Sequence, residues 1–227
     1  MSYNNLDEQN NVATISGTVS KLPEISHQIE GENFLDFEVE VERLSKTKDI
    51  IPVTISERAL NRLQLKIGEK VLLNGQYRSH NKSVNDRNKL ILHFFAKDIT
   101  TNYENEEQIN EVKLIGYICK APIYRKTPFD REICDVLLAV NRSNYHRTDY
   151  IPCILWGRNA RFIANQPVGT KLEVVGRIQS RVYYKTLEDG NVEERTAYEV
   201  SGNKIAILEN NMVKLNSNDE KGEAKII

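Results

Sequence analysis

The sequence predicts an all-β protein made of two copies of one small domain. Residues 11–100 and 110–208 follow the same pattern at an offset that drifts only from 99 to 101. Within each copy, apolar residues alternate with polar ones, which is the pattern of a half-buried strand. A repeat of this length is too long for a solenoid unit and suits a duplicated domain with its own core.

Glycines, a proline and an arginine at matching positions carry the repeat. The pairs, first copy then second, are Gly17 and Gly116, Pro23 and Pro122, Arg43 and Arg142, Gly68 and Gly169, and Gly75 and Gly176. We expect positions that both copies keep to serve the fold, and positions that one copy keeps to be candidates for function. The predicted organisation is a flexible N-terminus (1–10), a first, diverged domain (11–100), an acidic linker (101–109), a second domain (110–208) and a disordered tail (209–227).

Each copy predicts about five strands. Clear examples of the alternation are the apolar positions Phe37, Val39 and Val41 in the first copy and Val136, Leu138 and Val140 in the second. One short helical stretch follows the third strand, over 56–63 in the first copy and 158–163 in the second. Five strands with a helix between strands three and four is the order of an OB-fold, a Greek-key barrel. The chain has no room for a helix after every strand, which argues against parallel α/β architectures.

Composition excludes several classes of function. Hydrophobic residues make up 40% and charged residues 28% of the chain, and no apolar run is long enough to span a membrane. The first residues lack the pattern of a signal peptide, and an odd number of cysteines favours a reducing cytoplasm. We find no glycine-rich phosphate loop, no hydrolase-like constellation and no metal-ligand spacing. The sequence therefore predicts no enzyme, no cofactor and no metal site.

Charge is distributed unevenly along a chain whose net charge is −1. Residues 110–208 carry a net charge of +4 and residues 11–100 a net charge of +1. The second domain is therefore the better candidate for contact with a polyanion.

The second copy resembles the bacterial single-stranded-DNA-binding protein family. The segments that carry the resemblance are 110–116 (NEVKLIG), 121–125 (APIYR), 149–157 (DYIPCILWG) and 169–181 (GTKLEVVGRIQSR). The first copy resembles the same barrel more faintly. The resemblance implies sequence-independent binding of single-stranded DNA in replication, recombination or repair, mainly by the second domain. It also implies a homodimer that presents four barrels.

Binding of a single strand needs flat side chains for the bases and cations for the phosphates. Strand parity places Tyr150, Ile154 and Trp156 on the outward face of the third strand. In the fourth strand it places Arg177, Gln179, Arg181 and Tyr183 outward. The resemblance implies Tyr145, Tyr150, Trp156 and Tyr183 as the stacking aromatics and Arg125 as a loop contact. The predicted DNA-binding residues are Arg125, Arg142, Tyr145, Tyr150, Trp156, Arg177, Arg181 and Tyr183.

The first copy lacks these aromatics. Its residues at the positions of Tyr150 and Trp156 are Ile50 and Ser56. The outward face of its second strand is a row of carboxylates (Asp36, Glu38, Glu40 and Glu42), which would repel phosphates. Such a row is also what an ordinary solvated strand face looks like. The alternative function is thus an OB-fold protein-interaction module or primosome-type adaptor with weak or no DNA binding.

The last residues of the chain bear on the recruitment of partner proteins. Family members usually end in an acidic, apolar tip that recruits replication and repair proteins, but here lysines dilute the acidic run before Ile226 and Ile227. Partner recruitment through this tail stays an open expectation. We expect a cytoplasmic protein that does not contact membranes.

Overall fold

Strands dominate the computed structural model, which describes residues 10–84, 87–103, 108–142, 147–186 and 190–208. Within these ranges the chain forms eleven strands and two short helices. Residues 1–9 of the predicted flexible N-terminus, residues 104–107 of the acidic linker and the tail after Leu208 lie outside the described residues.

The first barrel is a closed ring of strands. Its elements are β1 (Asn11–Ile29), β2 (Glu32–Glu42), β3 (Lys48–Ser56), α1 (Glu57–Leu60), β4 (Lys70–Val84) and β5 (Arg87–Thr101). β1 pairs with β2 and β4, β2 with β3, and β4 with β5, all antiparallel. A short parallel pairing of β3 with β5 closes the ring. The helix lies between the third and fourth strands, as the sequence predicts for an OB-fold.

The second barrel repeats this ring with one interruption. Its elements are β6 (Asn110–Ile118), β7 (Ile123–Lys126), β8 (Glu132–Asn141), β9 (Thr148–Trp156), α2 (Gly157–Ile163), β10 (Lys171–Thr186) and β11 (Val192–Ile207). β6 and β7 together correspond to β1, and both pair with β8. β8 pairs with β9, β9 with β11 in parallel, β11 with β10, and β10 with β6. Both copies of the repeat are therefore closed five-stranded barrels, which confirms the predicted fold class.

The predicted alternation places the apolar positions in the barrel interiors. The inward side chains of β2 and β8 are at most 3% exposed: Phe37, Val39, Val41, Val136, Leu138 and Val140. Burying one side chain of this size contributes about 1.5–3 kcal/mol. The period-2 pattern therefore buries the apolar side chains that stabilise each barrel.

Gly17 and Gly116 show why the repeat retains glycine. A Cβ atom at Gly17 would collide with the carbonyl oxygen of Glu40, and one at Gly116 with that of Ala139. Each glycine lets the first strand of its barrel cross closely over the second strand. The repeated glycine is thus a requirement of the fold.

The first helix is shorter than the predicted stretch over 56–63. The Ser56 hydroxyl caps its N-terminus, and the helix ends because Asn61 adopts a left-handed conformation with φ of 47°. Leu60 is buried, but Leu63 lies beyond the helix and is 37% exposed. The expected apolar face of two leucines is therefore reduced to one.

One continuous sheet joins the two barrels, because β1 pairs with β6 in antiparallel fashion. The Asn11 side chain donates to the backbone oxygen of Tyr77 at 2.7 Å and accepts from its N–H at 2.9 Å. Asn110 makes the same two bonds to Ile178, at 2.8 and 2.9 Å. The repeated asparagine of each barrel thus binds the fourth strand of its own barrel beside the joint.

A buried carboxylate of the first barrel crosses the joint. Asp49 is fully buried, and the Arg43 guanidinium donates to both of its oxygens at 2.6 Å. Asp49 also accepts from the backbone N–H and the hydroxyl of Ser180, in the second barrel. Burial raises the pKa of Asp49, but the bonds from Arg43 and Ser180 outweigh burial and hold that pKa below its ordinary value.

The second barrel makes the same arrangement in return. Arg142 donates to both oxygens of buried Asp149 at 2.6 and 2.8 Å. Asp149 accepts from the backbone N–H of Ser79, in the first barrel, and Arg142 donates to the Ser79 carbonyl oxygen. Each barrel therefore inserts one Arg–Asp pair into the other, like the reciprocal contacts of a symmetric dimer.

The described residues contain no group of three or more His, Cys, Asp or Glu side chains arranged to hold a metal ion. Neither of their helices is long and apolar enough to cross a membrane. The three cysteines are free thiols. Burial raises the pKa of the Cys153 thiol to about 12 and that of Cys134 to about 11, so both are protonated apolar core residues.

Candidate nucleic-acid interface

Two aromatic side chains project from the outward face of β9. Tyr150 is 41% exposed and Trp156 is 37% exposed, whereas Ile151, Cys153 and Leu155 are at most 2% exposed. The alternation follows from the two-residue period of a strand, which turns odd and even positions to opposite faces. The second barrel therefore presents two flat rings on one strand.

Neighbouring side chains cover two positions that parity predicts as outward. Ile154 is only 5% exposed and lies opposite Asp135 on β8 and Ser201 on β11. Gln179 is 7% exposed and donates to the Glu199 carboxylate at 2.8 Å. Parity determines which side of the sheet a residue faces, but the adjacent strands decide how much solvent it meets.

Trp156 lies where β9 passes into α2, beside an open cleft of about 540 Å³. Its indole N–H donates to the Ser201 hydroxyl at 3.1 Å, which holds the ring edge against β11. The other residues lining the cleft belong to the β7–β8 hairpin and the start of α2: Lys126, Asp130, Arg131, Glu132 and Gly157. At the tip of that hairpin, Phe129 is 86% exposed. The cleft thus combines the indole with two basic and two acidic side chains, of which Lys126 and Asp130 form an ion pair at 2.9 Å.

Arg125 lies on the same face as Trp156. It pairs with Ile133 across the β7–β8 ladder, and Ile133 pairs with Trp156 across the β8–β9 ladder. The guanidinium forms an ion pair with Asp135 at 2.7 Å, and the Arg125 side chain is 45% exposed. Its N–H groups that face solvent can approach a phosphate, although Asp135 offsets part of its charge.

β10 contributes the predicted basic and aromatic residues at its outward positions. Arg177 lies opposite Ser201 in the β10–β11 ladder, which places it near the Trp156 indole. Further along the strand, the Arg181 guanidinium lies 5.9 Å from the centre of the Tyr183 ring. Arg181 is exposed and Tyr183 half-buried. These residues extend the aromatic and basic face of β9 across the sheet.

Of the other two predicted residues, Arg142 stands apart from this face and Tyr145 is not described. The Arg142 guanidinium is engaged by Asp149 and Ser79 at the joint, and its side chain is 21% exposed. The structure thus assigns Arg142 a structural role that its spacing alone did not reveal. Tyr145 lies outside the described residues, so its part in binding stays a prediction.

The outward face of the first barrel differs from the unbroken acidic row that its sequence suggests. Glu40 pairs with Lys48 at 2.8 Å and Glu42 with Lys46 at 2.7 Å. Asp36 accepts a hydrogen bond from the Thr54 hydroxyl at 2.6 Å. Lysines on and before β3 therefore offset much of the charge that would repel phosphates.

The same face also carries rings that the residue-by-residue comparison missed. Phe34 on β2 and Phe95 on β5 have ring centres 6.1 Å apart, with His27 and Arg78 beside them. At the positions of Tyr150 and Trp156 the first barrel has Ile50 and Ser56, so its rings come from positions that have no aromatic in the second barrel. The available signal was the outward parity of Phe34, which shares the face of Asp36 and Glu38.

Comparison with known proteins places the chain in a family. Residues 109–208 match the model of the single-strand binding protein family. Single-stranded DNA-binding protein 2 of Listeria monocytogenes is 31% identical over 125 residues, which cover 51% of this chain and 76% of that protein. The chain belongs to the single-strand binding protein family. Proteins of this family bind DNA and are not enzymes.

Two further comparisons show how much of a relative's length is matched and which solved structure has a similar fold. The single-stranded DNA-binding protein of Enterococcus faecalis is 40% identical over 81 residues, and this match spans 43% of that protein's length. The crystal structure of the wild-type single-stranded DNA binding protein from Thermus aquaticus aligns with a TM-score of 0.70 at 18% identity. That alignment covers 95% of this chain and 96% of the Thermus chain. It extends over both barrels and supports the tandem fold.

Proposed function

We propose that this protein binds single-stranded DNA without sequence preference, in replication, recombination or repair. The observation that carries the proposal is the outward face of β9, where Tyr150 and Trp156 are exposed between basic side chains of β7 and β10. The family assignment supports the same ligand, since the relatives from Listeria and Enterococcus are named single-stranded DNA-binding proteins.

Binding on this face would combine two kinds of contact. Bases stack on Trp156, Tyr150 and Tyr183, each stack being worth about 1–3 kcal/mol by truncation. Arg125, Arg177 and Arg181 hold the phosphates. Stacking accepts any base because every base has a flat π-face, which explains why no base-reading hydrogen bonds are needed. Tyr145 is part of the same proposal, and so is Arg142 through the exposed fifth of a side chain whose guanidinium is engaged at the joint.

The proposed assembly is a homodimer in the bacterial cytoplasm that presents four barrels to the strand. Light scattering at micromolar concentration should give about twice the 26.1 kDa mass of one chain. A mass of one chain at all concentrations would exclude the dimer without affecting the proposed ligand.

The fluorescence of Trp156 tests the proposed function directly, because the chain has no other tryptophan. Adding oligo-dT at low salt should quench its emission, and the anisotropy of a labelled oligo-dT should rise over the same range. A Trp156→Phe variant should lose the emission but retain much of the anisotropy change. If oligo-dT produces neither quenching nor an anisotropy change, the protein-interaction adaptor becomes the better explanation.

A further inference from the structure

The outward face of the first barrel carries a column of four flat groups. The His27 and Phe34 rings stack in parallel, with centres 5.0 Å apart and planes 8° apart. Phe34 contacts Phe95 at 6.1 Å, and the Arg78 guanidinium lies 3.7 Å from the centre of the Phe95 ring. These groups come from β1, β2, β5 and β4, so the column runs across the face of the sheet.

The column occupies the place that Trp156 occupies in the second barrel, but with other residues. Trp156 lies between Ile133 on β8 and Ser201 on β11. In the first barrel the corresponding middle position is Ser56.

Rings lie on both of the strands that pair with β3. Phe34 pairs with Ser56 across the β2–β3 ladder, and Phe95 pairs with Thr54 across the β3–β5 ladder. The first barrel has therefore moved its aromatic surface from the middle strand to the two strands beside it.

The parallel stack on Phe34 has the geometry of a base on an aromatic platform. His27 is exposed at the surface end of the column, so its imidazole can turn away without disturbing the core. A nucleobase has a larger π-face than an imidazole and would cover more of the Phe34 ring. The His27 ring thus marks a position that a base can take.

The column also adjoins the proposed site of the second barrel. Ser79 follows Arg78 on β4, and its hydroxyl accepts a hydrogen bond from the Tyr150 N–H at 2.7 Å. His80, the next outward residue of β4, contacts His93 at 5.3 Å on the same face. β4 of the first barrel therefore lies beside the backbone of Tyr150, and its outward residues Arg78 and His80 border the column.

We propose that Phe34 and Phe95 form a second binding site for single-stranded DNA, in which a base stacks on Phe34 in place of the His27 ring. This inference takes its ligand from the proposed function. It means that the first barrel binds part of the same single-stranded DNA. The phosphate beside that base faces the Arg78 and His80 edge of β4.

The test uses the second barrel's own residues as substitutions. Phe34→Ile and Phe95→Ser introduce what the second barrel has at the equivalent positions, so each residue type is compatible with this fold. His27→Ala is the matched control, because it uncovers Phe34 without removing it. Thermal unfolding followed by circular dichroism shows whether each variant is folded.

Affinity is measured with oligo-dT of about 30 nucleotides, enough for two barrels, and about 8, enough for one. Phe34→Ile and Phe95→Ser should each weaken binding of the longer strand about tenfold, which corresponds to about 1.4 kcal/mol. His27→Ala should bind it as tightly as the wild type or more tightly. Quenching of Trp156 by the shorter strand should be unchanged in all three.

A crosslinking experiment on the wild-type protein tests the second site without any substitution. Oligonucleotides carrying 5-iododeoxyuridine, irradiated in complex with the protein, should crosslink to a peptide containing Phe34 or Phe95. The second site alone is overturned if oligo-dT quenches Trp156 but no such crosslink forms and Phe34→Ile binds with wild-type affinity. Absence of any binding by the wild type overturns the proposed function as well.

Discussion

The two barrels share a skeleton and differ on one face. Both keep the closing parallel pair, the crossing glycine and the buried Arg–Asp pair that reaches across the joint. On the outward face, the second barrel presents Tyr150 and Trp156 from its middle strand. The first presents Phe34 and Phe95 from the flanking strands. The duplication has thus preserved what holds the barrels together while the exposed surface has been rearranged.

The largest effect on stability is expected at the joint, where each barrel contributes one Arg–Asp pair. Asp49→Ala and Asp149→Ala should each lower the free energy of unfolding by about 3 kcal/mol, because each leaves a partly buried arginine without its carboxylate partner. Urea denaturation measures both. Closely similar losses would support a symmetric joint, and a loss confined to one variant would show that the barrels rely on it unequally.

Mild acid should destabilise the first barrel, which contains the histidine pair. Burial, and then the nearby His80, lower the pKa of His93 from 6.5 to about 4, and its Nδ1 atom has no hydrogen-bond partner among the described residues. In the unfolded chain His93 is therefore protonated below about pH 6.5, whereas in the folded chain it is protonated only below about pH 4. The free energy of unfolding should fall by up to about 3 kcal/mol across that window.

Asp49 adds to this acid loss at lower pH. Its pKa is held below the ordinary carboxyl value, so its stabilising contribution is complete above pH 4 and is lost only as the pH falls further. His93→Gln should flatten the curve of stability against pH between 6.5 and 4 and leave the steeper acid limb. An unchanged curve in that variant would assign the loss to other groups.

Truncation of the indole sharpens the comparison of the two faces. Trp156→Ala should weaken binding of oligo-dT by about 1–3 kcal/mol, measured by anisotropy, because one stacking platform is lost. Phe162→Ala is the control, since Phe162 is a 49% exposed ring on α2. Equal losses in the two variants would argue against a specific platform at Trp156.

The smallest expected effect is that of a single cation. Arg125→Gln should weaken binding by less than about 1 kcal/mol, because Asp135 already offsets part of its charge. The slope of log affinity against log salt should become shallower by about 0.7 if one phosphate contact is lost. Lys66→Gln, in the loop after α1, is the control and should leave the slope unchanged. If the slope is also unchanged in Arg125→Gln, Arg125 does not contact the DNA.

Alternation and spacing along the chain predict the barrels well because the information is local. Phe37, Val39 and Val41 reveal their face by parity alone, and the glycines recur because a backbone crossing tolerates no Cβ. The outward aromatics Tyr150 and Trp156 follow from the same parity, once the buried face is known. The sequence therefore predicts the fold class, the repeat and the exposure of the aromatics on one face.

Tertiary structure alone decides which side chains share a surface and which are already engaged. The sequence predicts Arg142 as a DNA contact, and only the fold shows that its guanidinium also bonds Asp149 on the next strand and Ser79, which is 63 positions away. Phe34 and Phe95 are 61 positions apart, and only the closure of the ring through β3 brings them together. Long-range strand pairing sets these distances, because it depends on the whole barrel rather than on any one segment of sequence.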